Sequence, residues 1–202
     1  MKNSILFLLF LFIINTYSQE KQIEIVSEKR ANRLMLYAVN KNDQDFDVMI
    51  TVKGTNFRQS NRKPRLVRVP AASKVLLHNL IIDRGKNPYY TYELVVKDSL
   101  SHRALKKEVI PIKITPKKFI TIYLPDKFID NNKIIDSLSQ SRYLFTKIRI
   151  NEKPTVRETL SKILKYHETP LDSIRNPIVS LGGSIYPSIK NYSDLLEELL
   201  KK

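Results

Sequence analysis

Hydrophobic periodicity changes character once along this chain, and the change limits what the chain can fold into. Up to residue 117, apolar residues recur at every second position in short runs. From residue 118 onward, runs of that kind alternate with segments of helical period. An all-β part followed by an α/β part accounts for both patterns.

Residues 119–124 (FITIYL) are rich in β-branched and aromatic side chains and are closed by Pro125-Asp126, a strand signal. Residues 131–140 follow with Ile134, Ile135 and Leu138 on one helical face, and Asp130 is placed to cap that helix. Leu144, Thr146, Ile148 and Ile150 then alternate with Phe145, Lys147 and Arg149, which predicts a second strand. Pro154 opens a second helix, with Thr155 and Glu158 spaced as a capping box and Val156, Leu160, Ile163 and Leu164 as its apolar stripe. Two runs flanking Gly182-Gly183 read as a β-hairpin. Residues 191–202 close the chain with Leu195, Leu196, Leu199 and Leu200 on one face, and Lys201 and Lys202 suit the negative end of a helix dipole. The predicted order is β-α-β-α-β-β-α.

That order, together with TIYLPDKFIDNNKIIDSL at 121–138 and PIVSLGGSIYPSIKNYSDLLEELL at 177–200, resembles the glutaredoxin/thioredoxin family over residues 118–202. The resemblance implies a thioredoxin-like fold. It lays the two cysteines of the family's CxxC motif on Phe128 and Asn131, and it makes Pro177 the cis proline that faces that motif. Yet the whole chain has no cysteine, and thiol–disulfide exchange needs a thiolate. What the resemblance implies is therefore a redox-inactive domain, with no catalytic residue and no cofactor, whose groove by Pro177 holds a protein or peptide. Phe128, Ile129, Asn131, Asn176 and Pro177 are the expected partner-binding residues. The plainer expectation for Phe128 is packing into the first helix.

The front part holds period-2 runs at Ile23 and Ile25, at 34–39, at Phe46, Val48, Ile50 and Val52 closing at Gly54, and at 66–69, 75–82, 89–96 and 109–114. Short strands at this spacing, with turn clusters such as 83–88 between them, predict an immunoglobulin-like β-sandwich. No Cys…Trp…Cys signature accompanies it, so the term is architectural. The segment resembles small β-sandwich domains that precede catalytic modules in bacterial envelope proteins. The expected division is a signal peptide at 1–18, a β-sandwich domain at 19–115 and the thioredoxin-like domain at 116–202, with residues 113–118 around Pro116 as linker.

The leader has Lys2, ten unbroken apolar residues at 5–14, and small residues Thr16 and Ser18 ahead of Gln19. This is the pattern of a secretory signal peptide, and the run falls short of the roughly 20 apolar residues that span a bilayer. Export to a bacterial periplasm or the exterior is expected, with no transmembrane segment after cleavage. The chain carries a net charge of +15, but an exported protein does not meet nucleic acid. Its anionic partners would be lipid head groups, wall polymers, lipopolysaccharide or acidic proteins. From residue 48 to 82 there are seven basic residues and no acidic one. Lys53, Arg58, Arg62, Lys63, Arg65 and Arg68 of this stretch form the expected anion-binding group, against the plainer expectation of a solvated strand edge guarded by charge.

His78, His102 and His167 lack partners at metal-ligand spacing, and His78 reads as a half-buried strand residue. Asp43, Asp45 and Asp47 lack the glycine and final glutamate of a calcium loop and read as a turn followed by the wet face of a strand. Asp126 and Asp130 flank the lost redox turn as turn residue and cap. No G-x-S-x-G, phosphate-cradling glycine loop or HExxH motif occurs. Tyr89 is expected to face opposite to Tyr90 and Tyr92. The expected function is that of a non-catalytic envelope protein whose redox-inactive thioredoxin-like domain binds a protein or peptide. The alternative is a module that binds an anionic glycan, lipid or cell-wall polymer through the basic sandwich segment.

Overall fold

The computed structural model describes residues 23–60, 63–128, 133–165 and 170–201. The leader at 1–18, Asp130 and His167 lie outside the described residues. Among the described residues the front part has the strands β1 (Ile23–Arg30), β2 (Arg33–Asn40), β3 (Phe46–Thr55), β4 (Phe57–Arg58), β5 (Val67–Val69), β6 (Ser73–Ile82), β7 (Tyr89–Lys97) and β8 (Val109–Pro111). One sheet has the order β1-β2-β6-β4, with β8 also pairing β6; the other has the order β5-β3-β7. Leu36, Ala38, Phe46, Val48, Val69, Val75 and Leu80 are buried between them. Phe46 and Val48 belong to the alternating set of β3, whose members share a face, whereas Val75 and Leu80 of β6 both face the core because a register shift lies between them. Tyr90 and Leu94 pack on this core while Tyr89 is 71% exposed. Gly54 lies opposite Tyr90 in the ladder, and a Cβ there would sit 2.1 Å from the Tyr89 carbonyl oxygen. Only glycine permits that approach.

The back part holds β9 (Ile120–Leu124), α1 (Lys133–Gln140), β10 (Phe145–Arg149), α2 (Pro154–Lys165), β11 (Ile178–Leu181), β12 (Ser184–Tyr186) and α3 (Tyr192–Leu200). The sheet order is β10-β9-β11-β12. β9 and β10 are parallel, and β11 is antiparallel to both β9 and β12. Gly182 and Gly183 take positive φ (59° and 92°) between β11 and β12, which a two-residue hairpin turn of this hand requires. Asn191 caps α3 by accepting from the Asp194 amide at 2.9 Å.

Several local expectations are corrected. α2 begins at Pro154, whose fixed φ suits the first helical position. The Lys153 carbonyl accepts the first helical bond from Arg157, so Thr155 is already inside the helix and no capping box forms with Glu158. Glu158 pairs with Lys162 one turn on. Leu144 is 50% exposed, and Phe145 is the residue that packs inward. The Asn176–Pro177 bond is trans, not cis. Asp47, read as part of a wet face, is fully buried. Arg68 Nε donates to its Oδ1 at 2.5 Å and the Ser101 amide to its Oδ2 at 2.5 Å. The loop that follows β7 thus reaches β3 at Asp47 through Ser101.

The segment read as a linker is bonded on both sides. The Ile112 amide donates to the Ala72 carbonyl at 3.0 Å, and the Ile114 amide to the Arg142 carbonyl at 2.8 Å. Ile114 is buried in one cluster with Ala72, Ile120, Leu138 and Tyr143. The Tyr143 hydroxyl donates to Asp43 at 2.8 Å, and Arg142 approaches the same carboxylate at 3.5 Å. The expected boundary at 115/116 thus falls inside a shared core.

Two measurements check this. Tyr143→Phe loses a buried hydrogen bond and should lower stability by about 1 kcal/mol, whereas Tyr143→Ala also opens a cavity and should cost about 3–5 kcal/mol. Calorimetry of the larger truncation should show separate melting of the front and back parts where the parent melts once. For Asp47, burial raises the carboxyl pKa, but the Arg68 hydrogen bond and the Ser101 amide overcome this and hold it below the ordinary value. A folded pKa below the unfolded one stabilises the protein above about pH 3.9 and is lost as pH falls through the folded value. The unfolding free energy from urea titrations should therefore fall less steeply below pH 4 in Asp47→Asn than in the parent, from a value at neutral pH lower by about 3 kcal/mol.

Candidate functional site

Because β9 and β10 run parallel, their carboxyl ends lie side by side, Leu124 beside Arg149. The chain turns away from the sheet at Pro125-Asp126 on one side and through a 3-10 turn at Ile150–Glu152 on the other. Strand ends that diverge in this way leave a crevice. It has two lobes. One, of about 100 Å³, is lined by Leu124, Pro125, Asp126, Phe128, Arg149 and Asn151. The other, of about 200 Å³, lies across Pro125-Asp126 against Arg157, Leu171, Asp172 and Ile174.

Arg157, on the first turn of α2, holds the second lobe together. It bonds to Asp126 and, at 2.6 Å, to Asp172. Its guanidinium pKa is raised, first by the hydrogen bond to Asp126 and then by the two carboxylate charges. The bonds orient the two loops more than they stabilise the fold, since all three groups reach solvent. The crevice offers one aromatic wall, an exposed guanidinium at Arg149 and the amide of Asn151. Neither lobe is lined by a histidine or a cysteine.

Of the expected partner-binding residues, Phe128 stands at the crevice. It is half-buried, packs against the Ile134 and Leu138 cluster, and presents its remaining surface to the first lobe. Ile129 and Asn131 lie outside the described residues. Asn176 is exposed and Pro177 is buried, and neither lines the two lobes. The segment just before them, at Leu171, Asp172 and Ile174, takes that place. Arg149, Arg157 and Asp172 were not singled out from the sequence. Their signal was weak: charged residues at a strand end, in a first helical turn and in a short loop.

The expected anion-binding group is dispersed. Lys53 pairs with Glu93 at 3.1 Å, Arg58 approaches Asp83 at 3.8 Å, and Arg62 lies outside the described residues. Arg68 is corrected to a structural residue, since its guanidinium is taken up by Asp47 and the Ser101 carbonyl. Lys63 and Arg65 do stand together, at a cavity of about 250 Å³ that enters the sandwich core over Ile50, Val67, Leu77 and Leu105. Ser60, His78 and Lys107 add to its polar lining. A β-bulge shapes it: Leu36 pairs with His78 and Tyr37 with Leu76, so Leu77 is the extra residue of β6. The Leu77 carbonyl accepts from the Lys107 ammonium at 2.8 Å. Among the described residues no group of three or more His, Cys, Asp or Glu could hold a metal ion, and no helix is long and apolar enough to cross a membrane.

Burial pushes the His78 imidazole pKa down, and the Lys107 charge pushes it further; burial also lowers Lys107. The His78 proton resonances should therefore titrate with a midpoint below about 6.5. Lys107→Met should move that midpoint upward, and an unmoved midpoint would show that the ammonium does not act on the imidazole.

No protein-family model matches the chain, and comparisons with curated proteins and with solved structures return no match either.

Proposed function

We propose that this chain is a non-catalytic, exported envelope protein whose residues 118–202 form a redox-inactive thioredoxin-like module that holds a protein or peptide segment in the crevice beyond β9 and β10. The observation that carries this reading is a crevice at the carboxyl ends of parallel strands, walled by Phe128, in a chain without a single cysteine. The thioredoxin-like reading is supported by the strand order β10-β9-β11-β12, with β11 antiparallel to β9, and by helices following β9, β10 and β12. Export is supported by the leader pattern at 1–18. The front sandwich, joined through the shared core around Tyr143, would fix how the crevice is presented.

Phe128 supplies an apolar surface for a partner side chain, while Arg149 and Asn151 supply donors for its backbone or its carboxylates. Recognition of this kind needs no lowered pKa and no cofactor. It also explains why Phe128 keeps part of its surface open although it touches the core.

The test is photo-crosslinked capture from the native envelope with the chain from residue 19 onward. A defined protein recovered by the parent should be lost with Phe128→Asp and with Asn151→Trp. The second variant fills the first lobe from an exposed position and leaves the core alone. Equal recovery by folded Phe128→Asp and by Asn151→Trp would overturn the reading.

A further inference from the structure

Several cations of the front part are taken up by carboxylates: Lys53 by Glu93, Arg68 by Asp47 and Lys74 by Glu28. Lys63 and Arg65 are different. Among the described residues neither has an ion-pair partner, and both line the mouth of the cavity that enters the sandwich core beside β6. Lys107 joins them from the chain that leads to β8. Among the described residues its ammonium donates to the Leu77 carbonyl, which uses one of its three hydrogens. His78 adds an imidazole, and Ser60 a hydroxyl, to the same lining, which among the described residues contains no acidic side chain.

Concave surfaces of one charge sign with low-dielectric walls concentrate the field at their mouth. Here the walls are Ile50, Val67, Leu77 and Leu105, all belonging to or packed on the sandwich core. A flat run of solvated lysines would not have such a floor. The bulge at Leu77 is the local device that makes the site, since it opens the ladder where His78 and Lys107 meet the cavity. Bulges recur beside functional sites because they re-aim side chains.

We propose that this cavity is a binding site for a phosphate group carried on an organic body, with Lys63, Arg65 and Lys107 as the charge partners, His78 as a neighbouring hydrogen-bonding group and the apolar floor beneath the body. Several cationic donors on different elements suit an anion with several acceptor oxygens, and charge-assisted bonds to such oxygens are the stronger kind. The low imidazole pKa leaves His78 neutral near pH 7, able to donate from one nitrogen and accept at the other. A phospholipid head group and a soluble phosphate ester share this chemistry. The site is separate from the Phe128 crevice and does not depend on what that crevice does.

The experiment uses the chain from residue 19 onward, with two probes at constant ionic strength. Inorganic phosphate replacing chloride should move the His78 resonances, identified by their loss in His78→Gln, and leave those of His102 in place. Phosphatidylglycerol vesicles should sediment the protein where phosphatidylcholine vesicles do not. Lys63→Glu with Arg65→Glu should weaken whichever response is seen by about tenfold or more, the loss expected for at least one charge-assisted bond. The same charge change at Arg84 and Lys86, on the exposed turn after β6, should leave it intact. A response to phosphate alone assigns a soluble ester, and a response to vesicles assigns a lipid head group; each supports the proposal. No response to either probe would overturn it, and so would equal weakening by the two double variants, which would mean attraction by net charge only.

Discussion

The contact on which the rest of the arrangement depends is the burial of Tyr143 between the two parts of the chain. Its ring lies in a cluster with Ala72 from the front part and Ile120 and Leu138 from the back, and its hydroxyl reaches Asp43. Ala72 itself adopts φ 48°, a left-handed conformation that costs an alanine roughly 1–2 kcal/mol. The cost is offset where it is incurred. The Ala72 amide donates to the Asn42 carbonyl, its own carbonyl accepts from Ile112, and its methyl is buried under Ile114. Without this join, the backbone at 112–114 would expose polar groups and the back sheet would lose one wall of its core.

Three carboxylates, two in the turn before β3 and one on β3, illustrate how burial assigns roles that residue type does not. Asp43 fastens the back part through Tyr143, Asp45 accepts from the Ala71 amide at 2.9 Å, and Asp47 is sealed under Arg68 and Ser101. The first two keep some access to water. The third does not, so it must be paired, because an isolated buried carboxylate would cost several kcal/mol. Arg68 is held in the anion-poor segment 48–82 for that structural reason, and its charge is unavailable to a ligand.

Element types were largely legible in the sequence. The alternation at Phe46, Val48, Ile50 and Val52 fixes which face of β3 is core, and Gly182-Gly183 specifies the hairpin turn. Local misreadings came from features with two valid local solutions. Pro154 and Thr155 could each begin α2, and proline at the first position won because its missing N–H is not needed there. The crevice was legible only in part. Phe128 marked one wall, but Arg157 and Asp172 gained meaning only through their shared pairing, and Pro177 turned inward. The basic cavity was less legible still, because His78 and Lys107 come together through a bulge that no periodicity announces.

The sequence by itself determined strand and helix order, the inward face of β3, the absence of a thiol and the presence of a basic stretch. All of these rest on interactions within a few residues or on composition alone. Tertiary structure decided which charges are spent and which are free, where the crevice and the cavity open, and that the two parts share a core. The physical reason lies in sequence separation. The bonds that settle these matters link residues 21, 54 and 100 positions apart, Asp47 with Arg68, Asp47 with Ser101, and Asp43 with Tyr143. Local pattern carries no information about which distant partner folding will bring within reach.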